Sequence, residues 1–265
     1  MTEKRSETNP AVNPDKRLSV EDEFRFACGP HVPCFTDCCR KLELLLTPFD
    51  VLKLRKRLAL SSADFLDTHC RIRSKTAHGF PEVLLKMTEE AGQRCPFVTP
   101  EGCSVYPDRP GACRIYPLGR ASTKHPLDGT SREFYFTVRE AHCRGFEEPA
   151  NWRVREWLTD QGMHEYNRVN DLLMELYVHR TRGKQVTLGP RHIQMFMMAC
   201  YNPDRFRDFI FQSAFLTKFE ISPDTVDALR DDDLSLLEFA FQWLKFALFS
   251  EPTLVVRGQG AEMNS

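Results

Sequence analysis

Ten cysteines carry most of the chemistry available to this 265-residue sequence. They are Cys28, Cys34, Cys38, Cys39, Cys70, Cys95, Cys103, Cys113, Cys143 and Cys200. Nine fall between residues 28 and 143. Deprotonated thiols are soft ligands that select zinc, copper(I) or iron–sulfur clusters. Zinc fingers and ribbons pair their ligands roughly two to four residues apart. Here the spacing is Cys28-x5-Cys34-x3-Cys38-Cys39, then Cys95-x7-Cys103-x9-Cys113, then Cys143. The regular zinc pairing is missing, which lowers zinc and raises an iron–sulfur site. In an extended backbone, successive side chains point to opposite sides. Cys38 and Cys39 would then serve two centres, or two metals of one cluster, more readily than one tetrahedral ion. Eight cysteines (Cys28, Cys34, Cys38, Cys39, Cys95, Cys103, Cys113 and Cys143) would complete two four-thiolate sites. The bland alternative is reduced structural thiols without metal. Cys70 and Cys200 lie in the apolar helical contexts FLDTHCRI and FMMACY and read as buried core thiols. His31 and His142 flank ligand candidates and could replace a thiolate, although exposed or hydrogen-bonded histidines are commoner.

The rest of the composition sets the context for that cluster. The first 23 residues are polar and lack the apolar stretch of a secretory signal. No run of 18 or more apolar residues could span a bilayer. A reducing, cytoplasmic setting is therefore expected, in which ten cysteines do not form a disulfide framework. The net charge of −1 argues against duplex nucleic acid or an anionic membrane as partner. That near-neutrality hides a division, because residues 25–145 hold 19 basic against 13 acidic side chains and residues 146–265 hold 13 against 18. Arg40, Lys41, Arg94, Arg114 and Arg144 all adjoin candidate ligands. They could offset the charge of an anionic centre or form an ordinary solvated surface; orientation decides. Eleven of the 17 prolines lie between Pro30 and Pro149, the mark of a segment rich in turns. Such loops bury little apolar surface, and bound metal is the usual means of fixing them.

The elements that must position the cysteines are partly readable. Thr47-Pro48 opens a helix with Thr47 as N-cap, and Ser61 or Ser62 caps a second one running to Cys70. Residues 83–87 and 134–138 read as strands, and 102–106 as part of a hairpin. Apolar spacing predicts helices over 152–180, 191–200, 204–219 and 234–249. The expected organisation is a disordered tail (1–23), a cysteine-cluster metal-binding domain (24–149), a helical region (150–252) and a flexible tail (253–265). The fold class is α+β: a small loop-rich cysteine domain with short strands, packed on an all-helical C-terminal half. That half is the expected docking surface for a protein partner. The run Tyr106–Tyr116 reads as a rigid turn scaffold in preference to a binding loop. No phosphate loop, HExxH, nucleophile elbow or dinucleotide fingerprint occurs, so no catalytic residue stands out.

The segments CFTDCC, LTPFDVLKLRKRL, FPEVLLKM, CPFVTPEGCSVYPDRPGACRIYPLGR and HCRGFEEPANWRVREWL resemble the YkgJ family of cysteine-cluster proteins. That family is described as a zinc- or iron-chelating domain and includes the flagellin lysine N-methylases. The resemblance covers roughly residues 24–180. It implies a metal-chelating domain, with ligands carried over to Cys28, Cys34, Cys38, Cys39, Cys95, Cys103 and Cys113, and Cys143 at a further family position. The leading expectation is one or two iron–sulfur clusters, of 4Fe-4S type, in a redox, sensing or metal-handling role. The alternative is an iron–sulfur-dependent protein-lysine N-methyltransferase that uses S-adenosylmethionine. A structural zinc module for protein contacts is the weaker third.

Overall fold

Helices begin where a capping side chain meets the apolar repeat, and the computed structural model places these starts closely. It describes residues 17–90, 92–124, 131–182 and 187–258. The first half of the chain holds β1 (Glu23–Arg25), β2 (Leu45–Leu46), α1 (Pro48–Arg57), α2 (Ser62–His69), β3 (Cys70–Arg73) and β4 (Glu82–Leu85). Next come β5 (Val98–Thr99), β6 (Gly102–Cys103), α3 (Gly111–Ile115), β7 (Leu118–Lys124) and β8 (Ser131–Thr137). The second half holds β9 (Asn151–Arg153), α4 (Val154–Asp160), α5 (Met163–Arg182), α6 (Pro190–Tyr201) and α7 (Pro203–Gln212). It ends with α8 (Phe215–Lys218), β10 (Phe219–Glu220), α9 (Pro223–Asp231), α10 (Asp233–Phe249) and β11 (Val255–Val256). All sheets are small and antiparallel, with orders β1-β9, β2-β4-β3, β5-β6, β7-β8 and β10-β11. The class is α+β.

The chain forms two units that are discontinuous in sequence. Unit 1 comprises Met1–Leu42 and Met87–Tyr166, and unit 2 comprises Glu43–Lys86 and Asn167–Ser265. This division falls elsewhere than a 24–149 and a 150–252 segment, because residues 43–86 pack with the later helices.

Unit 1 is organised by an aromatic knot. Phe26 meets Trp157, Tyr116 and Phe146 edge-on at centroid distances of 5.7, 5.7 and 5.3 Å. Trp157 donates through Nε1 to the Ile115 carbonyl at 2.9 Å, and Trp152 to that of Phe26 at 3.1 Å. These indole bonds satisfy the polar edge of side chains buried for their area. The strand β1, absent from the sequence expectation, pairs Glu23 with Arg153 and Arg25 with Asn151. Residues 1–16 of the expected N-terminal tail lie outside the described residues. Its remainder is in place: Leu18 is buried, and its N–H and carbonyl both bond to Tyr135, at 2.7 and 2.9 Å.

In unit 2, α1 starts on a reciprocal capping box. The Thr47 N–H donates to Asp50 Oδ2 at 2.8 Å, and the Asp50 N–H donates to Thr47 Oγ1 at 3.3 Å, which satisfies donors a helix start leaves open. The core gathers Leu46, Leu54, Phe65, Phe80, Leu84, Phe196, Phe206 and Leu244, all fully buried. Arg55 is buried and faces anions. It bonds Asp233 and, at 3.3 Å, Asp204, while Arg207 and Lys56 also reach Asp233.

Several element boundaries depart from the apolar pattern. The stretch 152–180 is a strand and two helices, because Gly162 (φ 62°) takes the left-handed conformation that ends α4. The helix expected over 204–219 stops at Gln212, where the Ser213 hydroxyl donates back to the Phe209 carbonyl at 2.6 Å. Cys70 caps the C-terminal end of α2, its N–H donating to the Leu66 carbonyl, and at once opens β3, opposite Leu85 of β4. The C-terminal half is mainly helical, with the short strands β9, β10 and β11 beside its helices. In the expected flexible tail, Val255 and Val256 pair with β10, and residues 259–265 lie outside the described residues. Among the described residues, no helix is long and apolar enough to cross a membrane.

Candidate metal centre

Three loops of unit 1 bring the clustered cysteines toward one another. The first, residues 28–39, is a ladder of tight turns. Val32 N–H donates to the Gly29 carbonyl, Phe35 to Val32, Asp37 to Cys34 and Cys39 to Thr36, at 2.9–3.0 Å. Thr36 sits in the left-handed region (φ 71°), and a 3-10 turn over Asp37–Cys39 follows. The adjacent pair is therefore wound, and the extended backbone expected from the sequence does not form there. A 3-10 turn has about three residues per turn, so neighbouring side chains diverge less than across a strand. The Cys38 and Cys39 thiols accordingly interact with each other, which raises Cys38.

The second loop docks on the first through its backbone. Cys95 N–H donates to the Cys39 carbonyl and Lys41 N–H to that of Gln93, both at 2.8 Å, and Arg40 bridges Arg94. The hairpin β5–β6 then places Cys103 opposite Val98, and a further turn leads to Cys113 on α3. Gly102 makes the corner at φ 124°, where a Cβ would press on Phe35 at 3.2 Å. The third loop carries Cys143. It is tied to the first by Ala27 N–H donating to the Gly145 carbonyl at 3.0 Å. A Cβ on Gly145 would stand 2.5 Å from both the Ala27 oxygen and the Phe26 ring, so this approach requires glycine.

Every cysteine is a free thiol. Cys28 and Cys113 are exposed, and Cys34, Cys38, Cys39, Cys95, Cys103 and Cys143 are half-buried. Electrostatic interactions link Cys28 with Cys38, Cys34 and Cys143, and Cys143 with Cys34 and Cys38. They also link Cys38 with Cys39, and Cys95 and Cys103 with Cys38. Seven of the eight candidates thus form one network, and Cys113 interacts with Arg109. Among the described residues, no three His, Cys, Asp or Glu side chains already stand in ligand geometry around one point.

Backbone donors face several of these sulfurs. Arg144 N–H donates to Cys34 Sγ at 3.1 Å. The N–H groups of Gly29, Phe97 with Val98, Val105 and Gly145 face Cys28, Cys95, Cys103 and Cys143, and each favours the thiolate. Burial opposes them. It pushes Cys28 up to about 11, helped by the neighbouring thiols, and raises Cys95, Cys103 and Cys143. Metal-free, these thiols are protonated at neutral pH, and a cation that replaces their protons gains donors already in place. The chemistry of the donor set fits a soft metal.

Two residues of this site escaped the sequence reading. Tyr116 has a buried hydroxyl without a well-formed hydrogen bond, and its polar neighbour is the Cys143 sulfur. Arg109 is buried and electrostatically coupled to Cys103 and Cys113. The only signal for either was membership of the proline-rich run 106–117. Of the basic residues beside cysteines, Arg40 pairs with Asp37 at 3.8 Å and Arg144 with Glu147 at 2.9 Å. Arg114 donates to the Gln161 carbonyl at 2.7 Å and lies over the Tyr166 ring. His31 and His142 face Glu148 and Glu140, at 3.8 and 3.5 Å. Cys70 and Cys200 are buried in unit 2, as core thiols.

Residues 27–144 match a family model described as "CxxCxxCC: Putative zinc- or iron-chelating domain". The match spans all eight clustered cysteines and, with them, residues 43–86 of unit 2. No curated protein and no solved structure matches the chain significantly.

Proposed function

We propose that the chain, whose residues 27–144 match a model described as a zinc- or iron-chelating domain, holds iron as one or two iron–sulfur clusters in a redox, sensing or metal-handling role. The ligands are Cys28, Cys34, Cys38, Cys39, Cys95, Cys103, Cys113 and Cys143. The observation that carries this reading is the convergence of three loops whose backbone N–H groups face free thiols. Hydrogen bonds to sulfur stabilise thiolates and tune the potential of a thiolate-bound centre. The wound Cys38-Cys39 pair supports a polynuclear centre, since two sulfurs this close suit neighbouring metals of one cluster. When bound, such a centre supplies one-electron chemistry and cross-links the loops.

The roles of the chain's own groups follow. The turn ladder 28–39 fixes four sulfurs on one short segment. The Cys39–Cys95 and Ala27–Gly145 backbone bonds hold the other two loops against it. Side-chain rotation and small loop shifts then complete the coordination.

Anaerobic purification with assays for iron, zinc and acid-labile sulfide, together with visible and electron paramagnetic resonance spectra, tests the proposal. Iron and sulfide in comparable amounts, with a visible chromophore, are expected. Zinc without sulfide would overturn the iron–sulfur reading and leave chelation standing; neither metal binding after reconstitution would overturn both.

A further inference from the structure

Among the described residues of unit 1, Arg109 is the buried cation. It is 8% exposed. Its guanidinium donates to the Tyr106 carbonyl at 2.7 Å and to the Gln161 side-chain oxygen, and lies 3.8 Å from the Tyr106 ring centroid. Every one of these partners is uncharged. Among the described residues it has no carboxylate partner; the titratable groups that act on it are Tyr106, Arg114, Cys103 and Cys113. Arg114 adds a like charge. An arginine does not deprotonate in proteins, so the positive charge remains and is held away from water at a cost.

Two candidate ligand sulfurs are the groups able to answer it. As thiols they carry no charge. Deprotonated by a metal, they become anions beside a cation that is already desolvated, where the interaction is stronger than at a surface. We propose that Arg109 is the counter-cation of the thiolate centre, its guanidinium compensated when Cys103 and Cys113 are ligated. Arg109 acts through those sulfurs as a positioning residue, and its charge favours a centre with net negative charge on this side. The inference rests on the chelation reading.

The test uses the full chain, reduced and metal-free, titrated anaerobically with Co2+ and then with Zn2+ against a chelator of known affinity. Wild-type protein must first develop the cobalt–thiolate charge-transfer band; if it does not, the chelation reading itself fails. Given binding, Arg109→Gln should weaken Zn2+ affinity at least tenfold and alter the cobalt band. Arg109→Lys, which keeps the charge, should stay within threefold of wild type. In a Cys103→Ser background, Arg109→Gln should cost much less than in the wild type. Without metal, Arg109→Gln should melt no lower than the wild type, because the charge it removes is then uncompensated. The proposal is overturned if Arg109→Gln binds within threefold of wild type, or if Arg109→Lys binds as weakly as Arg109→Gln. It is also overturned if metal-free Arg109→Gln melts markedly lower, since the guanidinium would then be a structural tie.

Discussion

Cys34 in unit 1 and Cys200 in unit 2 carry the same thiol in opposite settings. Cys200 lies on α6, 2% exposed, and burial alone raises it well above 9.0. Cys34 lies half-exposed in a turn and accepts an N–H bond from Arg144, a residue contributed by another loop. The first sulfur is a small apolar group filling space. The second is an acceptor for which the backbone supplies a donor. The contrast extends to how each unit is held: α1, α6, α7 and α10 meet over fully buried leucines and phenylalanines, whereas the cysteine loops are held by turn and inter-loop hydrogen bonds. Burial of a thiol and its availability to a metal are thus separable, and each can be perturbed without the other.

The largest effect should come from the adjacent pair. Cys38→Ser or Cys39→Ser should remove at least half of the bound metal and lower the melting of the cysteine loops, while Cys200→Ser leaves metal content unchanged. Equal metal in all three variants, by elemental analysis, would erase the distinction between ligand and core thiols. The converse perturbation is Leu244→Ala, at a fully buried position of α10. Urea unfolding should show a loss of about 2–5 kcal/mol, with metal per folded molecule as in the wild type. A fall in metal content would mean that the two kinds of stabilisation are not separable. Gly145→Ala places a methyl 2.5 Å from the Ala27 carbonyl oxygen and should cost about 1–3 kcal/mol by overpacking. It should also slacken the Cys143 loop, read as faster alkylation of Cys143 in the metal-free protein.

The smallest effect concerns pH. Burial pushes Cys70 up from an ordinary 9.0 to about 12, so the folded state favours the protonated thiol. The stability this contributes is fully present below pH 9 and is lost as pH rises toward 12. Cys70→Ala should therefore flatten the stability–pH curve over that window and leave its slope near neutral pH unchanged. An identical decline in both proteins would show that Cys70 does not drive it.

Legibility in the sequence followed locality. Thr47-Pro48 and Ser61 announced their helices because each cap acts within three residues, and the run 234–249 announced α10 because its apolar content is continuous. The cysteines announced a metal site through type and clustering. Strand β1 was invisible, since EFR acquires its meaning only opposite Asn151–Arg153. The winding of Cys38-Cys39 depends on Thr36 adopting a left-handed conformation, which threonine rarely signals. Arg109 looked like any turn arginine until the fold enclosed it.

The broken order of unit 1 has a consequence for biosynthesis. The turn ladder 28–39 leaves the ribosome with its partners, Gln93, Cys95 and Gly145, still to be translated. At about 5–20 residues per second, the wait lasts roughly ten seconds. During that interval the first four thiols stand open to oxidants and to stray metal ions, while residues 43–86 are synthesised between them and their companions. The order of synthesis thereby makes the timing of metal delivery, as well as its amount, a determinant of how much correctly assembled protein a cell obtains.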